Sequence, residues 1–271
     1  GTAGVYSLDR MRYGFTMNSG RFTITQSTDS PNGFANSLKV DITTAESSLN
    51  ASSGAAFSQF LEGQDVQQFK KGTSDAEQYT LSFHVKSNVT GTYIVELFDQ
   101  DNTTGAFDND NASSLFVQWF LASGTDRTSG TLNTSWASST NANRAVGQAN
   151  LFSSTDNEWY ITGMQLEVGS TATPFEHRSF GEEFSLCSRY YEVAEAYGNS
   201  YHYNDSTSSS DREDITATYK VEKRATPTLT VTNQSTGSLS NLSNTTKKAT
   251  YRRTGSFGST AAYSVVSEAE L

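Results

Sequence analysis

Along this chain, short apolar runs recur between polar turns, and many of them alternate. In Tyr79-Thr80-Leu81-Ser82-Phe83-His84-Val85 every second side chain is apolar, which is the period of a half-buried β-strand. Thr92-Tyr93-Ile94-Val95-Glu96-Leu97-Phe98 is more continuously apolar and predicts a more fully buried strand. Arg21–Gln26, Ser37–Ile42, Phe57–Glu62, Leu115–Leu121 and Glu158–Val168 also read as strands. Their separators, Asp29-Ser30-Pro31-Asn32-Gly33, Asn88-Val89-Thr90-Gly91 and Thr128-Ser129-Gly130, are turn-forming sequences. Many short strands without helical partners predict an antiparallel sandwich. The long run Trp159 to Val168 is rich in strand-favouring residues. Gly163 within it predicts a bulge or a close backbone approach, and Gly169 predicts its stop.

The pattern changes at Gly181. Phe184, Cys187, Tyr191 and Ala194 recur at spacings of three and four, the apolar stripe of a helix at heptad spacing. Glu182 and Glu183 sit in its first turn, where they favour the helix dipole, and Gly198 is placed to end it. So short a helix must pack, either on the sandwich or on its own copies around a symmetry axis. A polar loop, Asn204–Ser210, precedes β-like segments at Asp214–Glu222, Thr228–Thr232, Ala249–Arg252 and Ala261–Val266, with Pro227 at a strand entry. This tail has few large apolar residues, and a domain of about 75 residues with so thin a core is marginal alone. Oligomerisation is expected to supply the missing burial. The expected class is therefore all-β: an antiparallel jelly-roll β-sandwich over residues 1–178, a short linking helix over 179–198, and a smaller C-terminal β-domain over 199–271.

Composition narrows the partners. Hydrophobic residues are 35% of the 271 but aromatics reach 12%, which suits a core of a few large side chains rather than disorder. A net charge of −10 opposes phosphate backbones and anionic membranes. No apolar run approaches the ~20 residues that span a bilayer. Neither nucleic acid nor membrane is an expected partner. The chain starts at Gly1-Thr2 without a signal pattern, so residues are expected upstream. One cysteine rules out an intrachain disulfide framework and fits a chain that folds in a bacterial cytoplasm and works outside it.

Candidate chemistry is sparse. Asp99, Asp101, Asp108 and Asp110 cluster oxygen ligands of the kind calcium takes, but Gly105 sits one place too late for an EF-hand loop and no Glu closes it. The alternative is a solvated turn. His84, His177 and His202 lack the spacing of a zinc site. A Cys187/His177 nucleophile pair is weighed against a buried structural thiol. No G-x-S-x-G, P-loop or dinucleotide fingerprint is present, and nothing singles out a carboxylate pair for glycoside hydrolysis. No enzymatic activity, cofactor or metal is expected. Trp136 differs from the other tryptophans, because it lies in the polar loop Thr131–Arg144 among amides and hydroxyls. An aromatic ring beside Asn141, Asn143 and Arg144 is what a saccharide needs: a face to stack on and amides to read hydroxyls. The alternative is a loop anchored by tucking Trp136 onto the sandwich edge.

The segment Trp159-Tyr160-Ile161-Thr162-Gly163-Met164-Gln165-Leu166-Glu167-Val168-Gly169 with Pro174-Phe175-Glu176-His177-Arg178 resembles the end of the carbohydrate-binding-module-like jelly rolls found in phage tail-fibre and other virion structural proteins, common in phages of marine bacteria. Leu8-Asp9-Arg10, Phe22–Gln26, Glu62–Asp65, Thr104–Asn111 and Asn141–Ala145 are similar to the same family. Downstream, Cys187–Tyr191 and Lys223–Thr228 resemble the helix and C-terminal sandwich that often follow, and Glu268–Leu271 looks like a natural terminus. The family usually has a strand before Leu8 and a further pair of strands between segments like Asp99–Asn102 and Thr103–Asn111. Either this member is shortened or residues are missing there. The resemblance implies a homotrimeric virion fibre protein, assembled with other virion proteins and engaging a bacterial surface glycan through its jelly roll. The alternative is a capsid fibre, decoration or connector protein with a purely structural role.

Overall fold

The computed structural model describes residues 6–8, 11–101, 105–197, 199–201, 211–233, 238–255 and 262–270. Asp9, Arg10, Asn102–Thr104, Gly198, His202, the loop 204–210, Ala261 and Leu271 lie outside the described residues. The chain divides into two compact units, Gly1–Glu176 and His177–Glu270.

The first unit contains β1 (Tyr6–Leu8), β2 (Met11–Phe15), β3 (Arg21–Ser27), β4 (Ser37–Thr44), β5 (Gly54–Glu62), β6 (Tyr79–Ser87), β7 (Val95–Asp99), β8 (Ser113–Ser123) and β9 (Glu158–Val168). They form two antiparallel sheets, β1-β2-β5-β8-β7 and β3-β4-β9-β6. The chain changes sheet between β2 and β3, β4 and β5, β5 and β6, β6 and β7, and β8 and β9, giving the jelly-roll sandwich. Alternation explains the core. Tyr13, Val40, Ile42, Phe57, Val117, Trp119, Trp159 and Ile161 point inward from both sheets and are buried, and Phe57 and Trp159 stack with centroids 6.2 Å apart. Each such ring removes ~150–250 Å² from water, roughly 4–6 kcal/mol of gross stabilisation.

The strand β9 has the bounds its residues predict. Its pairing with β6 slips between Ser82 and His84, which face Gln165 and Thr162, so β9 carries one residue more than β6. That is a bulge, and Gly163 occupies it at φ 61°. The approach is also close: a Cβ on Gly163 would lie 2.5 Å from the Phe34 ring. The strand expected at Thr92–Phe98 begins three residues late. Its first residues bond elsewhere: the Ile94 N–H donates to Gln148 Oε1 at 2.8 Å, and Thr92 C=O accepts from Ala149 N–H at 2.8 Å.

The second unit contains a helix, Phe180–Ser188, then β10 (Tyr191–Tyr197), β11 (Asn199–Tyr201), β12 (Asp211–Thr218), β13 (Thr228–Asn233), β14 (Ser238–Asn244), β15 (Lys248–Gly255) and β16 (Ala262–Glu268). Its sheets are β10-β16-β13 and β11-β12-β15-β14. Ala194, Ile215, Ala217, Tyr263 and Val265 form one buried cluster, and Tyr219, Ala249 and Tyr251 another. Leu229, Val231 and Leu239 pack against both.

The helix expected over 179–198 is half that length. The Ser179 side chain caps it, accepting from Glu182 N–H at 3.3 Å, and Glu182 and Glu183 fill its first turn as expected. It ends at Ser188. The stripe of Phe184, Cys187, Tyr191 and Ala194 therefore does not exist: Tyr191 and Ala194 are strand residues, one exposed (45%) and the other buried in its own unit (8%). The misreading has a physical cause. The buried face of β10 starts with Glu192, 4% exposed, whose carboxylate pairs with the fully buried Lys223 at 2.9 Å. A buried glutamate hides the period of two.

Candidate functional site

The outward positions of β2, β5, β8 and β7 make three parallel rows across the five-stranded sheet. The strand registers place Gly14, Ala56 and Phe120 in one row, Arg12, Ser58, Gln118 and Glu96 in the next, and Phe60, Phe116 and Phe98 in the third. The middle row is linked. The Ser58 hydroxyl donates to Gln118 Oε1 at 2.9 Å, and Gln118 Nε2 donates to Glu96 Oε2 at 3.5 Å. Arg144 closes the row with a two-pronged contact, Nε to Glu96 Oε1 at 2.8 Å and Nη2 to Oε2 at 2.7 Å, the strong geometry for this pair. The third row is aromatic but covered. Phe98 and Phe116 stack at 4.8 Å, while Arg12 lies 5.9 Å over Phe60 and Arg144 5.1 Å over Phe98. The face therefore presents guanidinium and amide groups rather than bare rings.

Beside the first row is a groove of ≈ 130 Å³. Gly14, Gly54, Ala55 and Ala56 line it, together with the aromatic Phe15 and Phe120 and the polar Gln118, Arg127 and Arg144. Small residues create the space: a Cβ on Gly14 would meet nothing within 4 Å, and one on Gly54 would lie 2.9 Å from Arg127 Nη1. Both arginines come from the segment after β8, which is fixed by main-chain bonds. Asp126 N–H donates to Ala51 C=O at 2.9 Å, and Ala145 N–H to Arg127 C=O at 2.9 Å. The groove admits a substituent of a ring rather than a whole drug-sized ligand.

The residues singled out in the loop 131–144 have separate fates. Arg144 belongs to this face. Asn143 is spent within the loop, its Oδ1 accepting from Thr131 N–H at 3.0 Å and its Nδ2 donating to Asn133 at 3.5 Å. Asn141 is exposed at the start of a 3-10 turn, Asn141–Asn143. Trp136 is tucked onto the sandwich edge, its ring 6.5 Å from Tyr79 and 5.0 Å from Lys71 Nζ, with half its surface exposed (52%). Lys71 in turn binds Asp99 at 2.5 Å and lies over Phe107. Burial, together with the Asp99 charge, pushes the Tyr79 phenol up to about 12. Arg144 thus bears on Glu96 and Phe98 of β7, whereas Trp136 is connected to β7 through Lys71 and Asp99.

The aspartates of the calcium-like loop serve the loop itself. Asp99 holds Lys71, Asp101 Oδ2 accepts from Asp108 N–H at 3.0 Å, Asp108 Oδ1 accepts from Ser114 at 3.3 Å, and Asp110 Oδ1 accepts from Ala112 N–H at 2.7 Å. Desolvation and the neighbouring Asp101 and Asp110 charges raise the Asp108 carboxyl. Among the described residues, no three His, Cys, Asp or Glu side chains converge as metal ligands would. Cys187 is half-buried rather than buried.

A larger cavity, ≈ 260 Å³, lies on the outer face of the four-stranded sheet beside His84, Lys86 and Tyr160. Many of its polar groups are already satisfied. Lys86 binds Asp29 at 2.5 Å, Ser37 donates to Asp29 C=O at 2.7 Å, and Thr162 donates to Asn36 C=O at 3.0 Å. The smaller groove, lined by two arginines and an amide beside glycine and alanine, is the better candidate. Its members Gly14, Gln118 and Arg127 were not anticipated from sequence. The alternation of Phe116, Gln118 and Phe120 was the available signal, since it places one amide between two rings on an outward face.

No family model, curated protein or solved structure matches the chain.

Proposed function

We propose that the first unit is a saccharide-binding sandwich, with its site on the groove and polar row of the five-stranded sheet, in a fibre protein of a virion. The observation that supports it most is the row Arg12–Ser58–Gln118–Glu96–Arg144 beside a groove lined in part by glycine and alanine. Fixed, planar guanidinium, amide and carboxylate groups at a water-accessible surface suit the hydroxyls of a sugar, and the groove takes a substituent. The one carboxylate of the row, Glu96, is held by Arg144, whereas glycoside hydrolysis uses two, which supports a binding reading over cleavage. The virion setting rests on the family resemblance. A homotrimer would multiply weak single-site affinity, and the exposed Phe180, Phe184, Tyr191 and Val193 of the second unit are apolar surface for its contacts.

The test is a glycan array and calorimetry with the full chain and with Gly14→Leu. The leucine enters open space, so folding should be unaffected while binding falls at least about tenfold, or 1.4 kcal/mol. A blank array at high concentration of the native chain would overturn the proposal in favour of a purely structural role.

A further inference from the structure

We infer that the saccharide taken by this groove carries an anionic substituent. The inference rests on the reading above and narrows it. Arg127 and Arg144 both line the groove. Arg12 lies two residues from Gly14 on the same strand face, about 7 Å away by strand rise, and is exposed. Against these three cations the row sets one carboxylate, Glu96, already engaged by Arg144. Arg12 and Arg127 have no carboxylate partner among the described residues; Arg127 has a long hydrogen bond to Ser52 C=O, at 3.5 Å.

This local excess of positive charge sits in a chain whose net charge is −10. Such a chain repels polyanions at long range, so affinity for one has to come from a local site. Beyond a Debye length of about 8 Å at physiological salt the net repulsion is largely screened, and the guanidiniums act at contact. Their planar forks match carboxylate, sulfate and phosphate oxygens. The groove's size suits one such group, and Gln118, whose bonds to Ser58 and Glu96 leave its amide a second N–H, lines it beside the arginines.

The experiment uses matched polymer pairs on the full chain: polygalacturonate against its carboxyl-reduced form, and a sulfated glucan against the unsulfated glucan. Binding of at least one anionic member, about tenfold or more tighter than its neutral partner, is expected. Which pair discriminates identifies the anion. Arg127→Gln and Arg12→Gln should each weaken that binding severalfold and leave the melting temperature unchanged. Neutral members bound as tightly as the anionic ones, with Gly14→Leu still abolishing binding, would overturn the anionic inference while leaving the saccharide site standing. No binding to any polymer, charged or neutral, would overturn both. Anionic binding that survives both arginine substitutions and Gly14→Leu would place the attraction elsewhere and overturn the inference.

Discussion

Replacing Gly163 by alanine perturbs the backbone and the packing of β9 at one point. At φ 61° a residue with a Cβ bears about 1–2 kcal/mol of left-handed strain. The added methyl would also lie 2.5 and 2.8 Å from two carbons of the Phe34 ring and 3.2 Å from His84 Cδ2. The ring is itself wedged, with its centroid 5.3 Å from that of His84 and 5.0 Å from that of Phe175, so it has little room to retreat, and overpacking adds about 1–3 kcal/mol. The total is about 2–5 kcal/mol, a drop of roughly 4–20 °C in melting temperature for a unit of this size. Fluorescence isolates the effect, because the three tryptophans of the chain, Trp119, Trp136 and Trp159, all belong to the first unit. In a Phe34→Ala background the same glycine substitution should cost only the backbone strain. A loss below about 0.5 kcal/mol, the ordinary range for an inconsequential surface change, would refute the strain reasoning. A loss unchanged by Phe34→Ala would refute the close approach.

Trp136→Ala should lower the stability of the first unit by about 3–3.5 kcal/mol, from roughly 100 Å² of lost burial and a cation–π contact with Lys71. It should leave groove binding within about twofold of wild type. Parallel denaturation and binding curves check this, and a stable variant that fails to bind would reverse the assignment of the two sites. Glu46 is buried, which raises its carboxyl, but hydrogen bonds from Gly20, Ser19, Asn18 and Ser53 outweigh that and hold it below the usual range. Its stabilisation is therefore present above the ordinary glutamate pKa and is lost as pH falls through the lowered one. Glu46→Gln should flatten the acid side of the stability–pH curve, and an unchanged acid limb would count against the role. In the second unit, burial lowers the Lys223 pKa against the opposing pull of Glu192. Lys223→Met removes the buried partner of Glu192 and leaves it only the Lys220 main-chain N–H, at 3.2 Å, and the exposed Lys220 ammonium, at 3.8 Å; it should cost up to about 3–5 kcal/mol, and Lys223→Met with Glu192→Leu should recover most of it. Equal losses in the single and double variants, measured by circular dichroism, would contradict that.

Sequence and structure agree where local chemistry decides the outcome. The bounds of β9, its stop at Gly169 and the bulge at Gly163 are visible in the residues because strand propensity and backbone freedom are local properties. The segment after Ser188 misleads because its buried position is Glu192, whose partner Lys223 is 31 residues away in the chain. Tyr191 and Ala194 then match a helical spacing by coincidence. The groove was legible only in part. Arg144 stands out in a polar loop, but Gly14, Ala56 and Gln118 come from three strands brought into register by long-range pairing, and no single stretch of sequence reveals them together. Trp136 attracts attention for the same reason as Arg144, yet its environment is set by Lys71 and Tyr79, which local pattern does not reach.

Residue-resolved NMR titration of the isotope-labelled full chain with the saccharide selected on the array tests the location of the site most directly. Saturable shift changes should concentrate on Gly14, Ala56, Gln118, Arg127 and Arg144 and disappear in Gly14→Leu. Shifts confined to Trp136 and Tyr79, to the second unit, or to no residue at all would contradict a saccharide site on the five-stranded sheet.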